Sequence, residues 1–156
     1  MVIPAVEKQQ LQKNYSFFLG QAMLVSQDVI RLGILNVKDH PNNSAVELIK
    51  LICEFGRDKV DYVILEGILG AQKYKQMILE LLRFFNNEAF IYYFDIPFAE
   101  TLRRHSSRKK AQGFGAAEMK KWWLKKDFLK LPNEKNLGAE LSQDEIVKLI
   151  IKDVTS

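Results

Sequence analysis

The chain of 156 residues is 47% hydrophobic and 27% charged, and it carries a formal net charge of +4. These values are typical of one globular domain with a sizeable core, and no apolar run approaches the roughly 20 residues that a membrane-spanning helix needs. The N-terminus lacks a basic segment followed by an apolar one, so no secretory signal is expected. The single cysteine, Cys53, excludes an internal disulfide, and its apolar neighbours at helical spacing predict a buried thiol. We therefore expect a cytoplasmic protein.

Predicted helices and strands alternate along the first half of the chain. Gly20 is a typical helix C-cap, and Ser44 is a candidate N-cap with Glu47 as its capping-box partner. Short apolar runs bounded by turn signals are typical of buried strands. The predicted elements are, in order, a helix over 6–19, a strand over 21–26, a short helix over 28–36, a helix over 44–55 and a strand over 60–66.

The same alternation continues in the second half. Apolar residues over 74–85 follow the i, i+3, i+4, i+7 spacing of an amphipathic helix, which Asn86-Asn87 ends. Pro97 suits the first turn of a helix, and Ser142 suits an N-cap. The predicted elements are a helix over 74–85, a strand over 89–96, a helix from 97, a helix over 116–126, a turn over 132–136 and a final helix from 142.

Strands that alternate with helices predict an α/β fold, a three-layer α/β/α sandwich around a mostly parallel sheet, in one domain over residues 1–156. In open sheets of this kind, ligands bind beyond the carboxyl ends of the strands. Two predicted strands place polar residues there. Glu66 ends a buried run and Gly67 lets the chain turn, whereas Asp28 and Arg31 follow the strand over 21–26.

Each of these polar residues has a functional and a structural interpretation. Asp28 could orient or deprotonate a substrate hydroxyl, or it could only cap a helix. Arg31 could hold an anionic or polar substrate group, or it could be a surface residue. Glu66 could hold magnesium through water or orient the nucleophile, or it could pair with a neighbouring cation or accept backbone N–H bonds at the turn.

A basic segment covers residues 103–126, where nine Lys or Arg side chains accompany one acid, Glu118. Such a block favours an anionic ligand, such as nucleotide phosphates or nucleic acid, although it could also be a solvated surface. Arg104 and Arg108 are four residues apart, so on a helix they share a face that suits phosphate oxygens or a flat base. The two histidines lack any partner at the spacing that is typical of a metal cluster.

Taken in order, these segments resemble the small-molecule branch of the P-loop kinases. The similarity rests on strand–SxDxxR at 26–31, strand–LEG at 65–67, strand–YYFD at 92–95, RRHxxR at 103–108 and the adjacent tryptophans at 122–123. It covers residues 11–154 and includes the uridine-kinase-like proteins and, more distantly, gluconate kinase, chloramphenicol phosphotransferase and zeta toxins. The resemblance implies a P-loop NTPase-like fold with a basic lid over 103–126, ATP and Mg²⁺ as cofactors, and phosphate transfer to a small hydroxylated substrate such as a nucleoside or sugar.

The resemblance also implies roles for individual residues. Asp28 is similar to the carboxylate that activates the accepting hydroxyl, and Arg31 is similar to a substrate contact. Glu66 occupies the position of the acidic group near magnesium. Arg104 resembles the arginine that packs on adenine, and Arg108 resembles the lid arginine that reaches the transferred phosphate.

One hallmark of that family does not occur in this sequence. The family begins with a strand and a GxxxxGK(S/T) loop, whereas these 156 residues contain no Gly-Lys pair. That loop supplies phosphate-binding N–H groups, a lysine and a magnesium-binding hydroxyl. In the family, the first strand lies in the middle of the sheet. Residues 1–6 could form a substitute strand, the sheet could close in a different order, or the sequence could be a shortened form of a longer kinase.

Three functions are compatible with the sequence. The first is an ATP-dependent kinase that is truncated or impaired. The second is a non-catalytic kinase-like module that binds or regulates a partner. The third, and the least favoured, is nucleic-acid binding through residues 103–126, which predicts an affinity that falls steeply with salt.

Overall fold

The computed structural model of this chain describes residues 20–106, 115–124 and 126–156, so the predicted helix over 6–19 lies outside it. Within these ranges, strands and helices alternate as the sequence predicts. The elements are, in order, β1 (Ala22–Ser26), α1 (Val29–Ile34), α2 (Ser44–Phe55), β2 (Tyr62–Glu66), α3 (Ala71–Phe84), β3 (Ile91–Asp95), α4 (Phe98–Ser106), α5 (Ala116–Trp122), β4 (Glu134–Gly138) and α6 (Gln143–Thr155).

The four strands form two parallel pairs. β1 pairs with β2 so that Ser26 lies opposite Glu66, and β3 pairs with β4 so that Asp95 lies opposite Gly138. Within the described residues, β2 and β3 are not hydrogen-bonded to each other. The α/β class with parallel strands is therefore confirmed. The sequence left open that the sheet closes in a different order. A sheet in which β2 pairs directly with β3 would be such an arrangement, and the described residues do not form it.

Helices cover both faces of the strands. Alternate side chains of β2 point to opposite faces, as the pleat requires. Tyr62 and Ile64 pack against α6 in one apolar cluster, whereas Val63 and Leu65 pack with α2 and α3 in another. This gives the helix–strand–helix layers that the order of elements predicts. The buried members are Tyr92, Phe94, Ile96, Leu137, Ile146, Val147 and Ile150 in the first cluster, and Val25, Ile30, Ala45, Ile49, Cys53, Leu69, Tyr74, Met77 and Leu81 in the second.

α3 and α6 hold the two strand pairs together. α3 begins after the carboxyl end of β2, and Leu82 near the end of α3 packs on Ile91, the first residue of β3. β3 therefore begins at the edge where β2 begins, so the two strands run parallel and their carboxyl ends lie at one edge. On the other face, α6 contacts both strand pairs. The Tyr92 hydroxyl of β3 donates to the Asp153 carboxylate of α6 at 2.7 Å, and Tyr62 of β2 packs in the apolar cluster that α6 covers.

The single cysteine is a core residue, as predicted. Cys53 is buried on α2, and this burial raises the pKa of its thiol to about 12. The thiol is therefore protonated at neutral pH, and a protonated thiol is a poor nucleophile. Cys53 thus contributes to packing rather than to reactivity.

Two local predictions are wrong. α2 is capped by Asn43, whose side-chain oxygen accepts a hydrogen bond from the Ala45 N–H, so Ser44 is the first helical residue and not the cap. The segment predicted as a turn over 132–136 contains the start of β4. In its sequence, EKNLG, only Leu137 is buried, and within the described residues β4 pairs along one edge only. Such a strand needs little apolar sequence, so its pattern is hard to distinguish from a turn.

The chain after β2 approaches the chain after β1 very closely. Gly67 follows Glu66 with a φ of +148°, which residues with side chains rarely adopt. A Cβ atom on Gly67 would lie 2.5 Å from the Cβ atom of Gln27, which is closer than real Cβ contacts. Glycine is therefore required both by the backbone and by the neighbour, and it shapes this edge of the strand pair.

We expect Gly67→Ala to destabilise the protein by about 1–3 kcal/mol, because the new methyl group must displace Gln27 and strain the backbone. For a domain of this size, that loss lowers Tm by about 3–10 °C. Gly33→Ala is the matched control, since its Cβ would lie 3.9 Å from Val29 Cγ1, an ordinary contact. Thermal unfolding, monitored by circular dichroism, gives the Tm of both variants. Equal Tm values for the two variants would contradict the close approach of Gly67 to Gln27.

Candidate active site

The carboxyl ends of β1 and β2 bring polar side chains from separate segments to one edge. Ser26 lies opposite Glu66 in the parallel register, so the residues that follow each strand are neighbours. Gln27 follows β1 directly, is 1% exposed and lies against Gly67. Asp28 comes next in the chain. Asp28 and Glu66 therefore lie at the same edge, as the strand-end rule predicts.

Asp28 and Arg31 form an ion pair at this edge. Arg31 Nη2 lies 3.5 Å from Asp28 Oδ1, and Arg31 Nη1 donates to the Val37 carbonyl at 3.1 Å. The Arg31 side chain is only 15% exposed, so the alternative of a surface residue is wrong. The Asp28 side chain is 38% exposed and, within the described part of the chain, makes no capping hydrogen bond to α1. Helix capping therefore does not explain Asp28.

The short helix that carries Arg31 is wider than an α-helix. α1 is a π-helical turn, in which the Leu35 N–H donates to the Ile30 carbonyl, five residues back, at 3.0 Å. The helix predicted over 28–36 thus exists in a shorter and wider form. Such π-turns are frequent at functional sites.

Glu66 is a fully buried carboxylate. It is 1% exposed, although it is the last residue of a strand at the edge where ligands bind in folds of this class. Burial of a carboxylate costs several kcal/mol unless polar partners or a cation compensate. Its place at the carboxyl end of β2 makes Glu66 a candidate for holding a cation or orienting a polar ligand.

A chain of hydrogen bonds connects this edge to α3. Gln27 Nε2 donates to the Tyr74 hydroxyl at 3.0 Å, that hydroxyl donates to Asp39 Oδ1 at 2.8 Å, and Lys73 Nζ donates to Asp39 Oδ2 at 2.6 Å. Burial, with the Asp39 bond adding to it, raises the pKa of Tyr74, so its hydroxyl stays protonated and can donate. Gln27 Oε1 is buried and accepts no hydrogen bond within the described residues.

The sequence patterns did not predict this chain of hydrogen bonds. Tyr74 fits the amphipathic spacing of α3, so it is expected only as a core residue. Its partner Asp39 lies 35 residues away in a turn-rich segment, and no local spacing links the two. The one available signal was a polar residue, Gln27, directly after a buried strand.

The second strand pair carries the predicted nucleotide-binding arginine. Arg104, on α4, donates from Nε to Glu100 Oε1 at 2.8 Å and from Nη2 to the Ala139 carbonyl at 3.0 Å. Ala139 follows β4 directly, so Arg104 lies at the carboxyl end of β3 and β4. A guanidinium that is held by its edge can still present a flat face to a base.

The two adjacent tryptophans point in different directions, as expected for a helix. Trp123 Nε1 donates to the Ile96 carbonyl at 3.1 Å, and the Trp123 and Phe98 ring centroids are 5.8 Å apart. Trp122 is 45% exposed. Trp123 therefore connects the end of α5 to the segment after β3 through a hydrogen bond and a ring contact.

Part of the predicted site lies outside the described residues. Arg108, the predicted lid arginine, falls there together with Lys109 and Lys110. In the part of the chain that the structure describes, no group of three or more His, Cys, Asp or Glu side chains could hold a metal ion. A magnesium ion near Glu66 would therefore take most of its ligands from water and phosphate oxygens, as this ion often does. None of the described helices has the length and apolar character to cross a membrane.

No protein-family model matches this chain, and no curated protein matches it either. Among solved structures, the chain is similar to a crystal structure described as "a putative kinase" from Chloroflexus aurantiacus. The two share 13% sequence identity and a TM-score of 0.62, over 99% of this chain and 93% of that chain. This likeness establishes a shared fold, an α/β architecture in which parallel strands alternate with helices.

Glu100, the partner of Arg104, links stability to pH. Hydrogen bonds from Arg103 and then from Arg104 lower the pKa of the Glu100 carboxyl to about 2, whereas a glutamate in an unfolded chain has a pKa of about 4.3. The ionised carboxylate therefore favours the folded state above a pH of about 4.3. This contribution is lost as the pH falls toward the pKa of the folded state.

We expect Glu100→Gln to lower Tm at a pH of about 6, and the difference from the unchanged chain to narrow as the pH falls toward 3. Glu88→Gln, on the exposed turn after α3, is the matched control. Thermal unfolding in low salt at several pH values measures both variants, because salt weakens exposed ion pairs. A Tm difference that stays constant across this range would count against the arginine pairing.

Proposed function

We propose that this chain is a kinase-like phosphotransferase, which uses ATP and Mg²⁺ to phosphorylate a small hydroxylated substrate such as a nucleoside or sugar. The observation that carries the proposal is the shared edge of two parallel strands that pair in register, where Asp28 follows β1 and the buried Glu66 ends β2. Ligands of open α/β sheets bind at this edge. The similarity in fold to the structure described as "a putative kinase" supports the same choice.

Asp28 is the proposed general base. Its side chain is partly exposed, so a substrate can reach it, and the Arg31 guanidinium 3.5 Å away fixes its orientation. A carboxylate in this position can accept the proton of an attacking hydroxyl. Arg31 is the proposed substrate contact, because its buried Nε has no acceptor within the described residues.

The remaining roles concern the nucleotide. We assign magnesium, held through water, to Glu66, since a bound magnesium ion neutralises charge on the transferred phosphate. Arg104 is the proposed adenine contact at the edge of β3 and β4. Arg108 is proposed to reach the phosphates from a lid over residues 103–126, within a single domain over 1–156. The charge of that segment, nine cations to one acid, favours a polyphosphate ligand.

The alternative is a non-catalytic kinase-like module that binds or regulates a partner. The feature that favours it is the absence of a Gly-Lys pair, and hence of a GxxxxGK(S/T) loop, from the sequence. Positioning of the phosphates supplies most of the catalysis in phosphoryl transfer, so a kinase without this loop should be slow. Nucleic-acid binding through residues 103–126 is a weaker alternative, because no known RNA- or DNA-binding motif accompanies the basic segment.

ATP with Mg²⁺ should raise Tm, because a ligand that binds only the folded state stabilises that state. At about 5 mM ligand and a dissociation constant of about 100 µM, the gain is about 2 kcal/mol, or roughly 5 °C. Differential scanning fluorimetry measures the shift, with ATP and EDTA as the control. An unchanged Tm would favour the non-catalytic module. Binding of single-stranded RNA that weakens steeply with salt would favour the third function.

Asp28→Asn should lower phosphate transfer by at least about 100-fold, the usual contribution of a general base. The amide keeps the size of the side chain, so the variant should still fold. Asp58→Asn, in the exposed turn before β2, is the matched control and should leave transfer unchanged. Transfer of labelled γ-phosphate to a panel of nucleosides and sugars measures both rates. Equal rates would mean that Asp28 is not the base.

A further inference from the structure

Gln27 is a buried amide side chain at the edge where the proposed substrate binds. It follows β1 directly, it is 1% exposed, and it precedes Asp28, the proposed general base. Its Oε1 atom is buried and, within the described residues, accepts no hydrogen bond. Buried polar atoms nearly always have a hydrogen-bond partner, so such an exception needs an explanation. A ligand that supplies a donor at this edge would explain it.

A chain of hydrogen bonds fixes which end of the amide faces Tyr74. The Tyr74 hydroxyl has one proton, which it donates to the Asp39 carboxylate at 2.8 Å. Toward Gln27 the hydroxyl can therefore only accept, so the amide turns its Nε2 donor to Tyr74, at 3.0 Å. Asp39 is itself held by Lys73 Nζ, which donates to its Oδ2 at 2.6 Å. The orientation of Oε1 is thus set by α3 and by the segment before α2.

The Oε1 atom of Gln27 faces the chain that follows β2. A Cβ atom on Gly67 would lie 3.2 Å from Oε1, so the oxygen sits at the shared edge of β1 and β2. The Asp28 side chain is 38% exposed, so the protein surface is one residue away from the buried amide. Ile30 is the one buried residue of α1. Few apolar contacts therefore hold α1 in place, and a substrate can displace it at little cost to reach Oε1.

We propose that Gln27 is a substrate-binding residue that rests on, and narrows, the proposed function. Its Oε1 accepts a hydrogen bond from a second hydroxyl or an amino group of the molecule whose first hydroxyl gives its proton to Asp28. A phosphate or carboxylate offers acceptors only, so neither fits against Oε1. The substrate is therefore a molecule with at least two hydroxyl or amino groups. Tyr74 and Asp39 are positioning residues, which act by holding the amide.

Binding of hydroxylated probes and of their monodeoxy analogues tests the proposal. The probes are adenosine, uridine, ribose and glucose, and isothermal titration calorimetry with the full chain gives the dissociation constants. We expect at least one monodeoxy analogue to bind about 10-fold more weakly than its parent, because the missing hydroxyl no longer donates to Oε1. The effect should be clear, since Oε1 breaks no other hydrogen bond within the described residues to accept this one.

Gln27→Met should remove this discrimination, so that parent and analogue bind within about twofold of each other. Methionine is unbranched like glutamine but lacks the amide oxygen. Tyr74→Phe should reduce the discrimination, because the amide is no longer held, whereas a purely structural loss would weaken the binding of parent and analogue equally. Gln76→Met, on the exposed face of α3, is the matched control and should keep the full discrimination.

Discrimination that is equal in the unchanged chain and in Gln27→Met would overturn the proposal. Equal binding of every parent and its analogues by the unchanged chain, or no binding of any probe, would also overturn it. If Gln27→Met does not fold, Tyr74→Phe decides the question, because it removes only a hydroxyl. Hydroxyl-dependent binding without phosphate transfer would support the role of Gln27 and contradict the proposed function. The rise in Tm with ATP and Mg²⁺ tests that function separately.

Discussion

The fold depends on α3 and α6, which pack across β2 and β3. Within the described residues, these two strands do not pair with each other. α3 places Leu82 on Ile91 from one face, and α6 contacts Tyr62 and Tyr92 from the other. Apolar packing is non-directional, so it can hold the two strand pairs side by side without fixing their relative register. Hydrogen-bonded ladders fix register. The ladders thus define the geometry within each pair, whereas the geometry between the pairs depends on the packing of α3 and α6.

The lack of a fixed register between the strand pairs also affects the candidate active site, because the residues of the site are divided between the two pairs. Asp28 and Glu66 lie at the end of β1 and β2, whereas Arg104 lies at the end of β3 and β4. The sequence has no Gly-Lys pair, so no GxxxxGK(S/T) loop supplies a row of backbone N–H groups around a phosphate. The fold can therefore be kinase-like while nucleotide binding is weak and transfer slow.

Periodicity and turn chemistry predicted most elements, because α2, α3, α6 and the first three strands each bury an apolar face that the local sequence records. β4 was missed since one buried side chain, Leu137, is too little for a pattern. At the site, Asp28 and Glu66 could be placed together because parallel strands end at one edge. The Tyr74–Asp39 bond could not be predicted, because it joins segments 35 residues apart whose contact only the folded chain determines. The separation of the strand pairs is likewise a tertiary property.

The two ends of the β1–β2 pair differ in a way that packing alone does not explain. At the amino end, Asp61 is exposed and accepts a hydrogen bond from the Gln21 N–H, an arrangement that costs little. At the carboxyl end, Gln27 and Glu66 are buried, and Gly67 adopts a backbone conformation that other residues rarely adopt. Buried polar groups and special backbone conformations reduce stability, and they accumulate where function maintains them. Their concentration at one end of one strand pair argues for a ligand there, independently of which ligand it is.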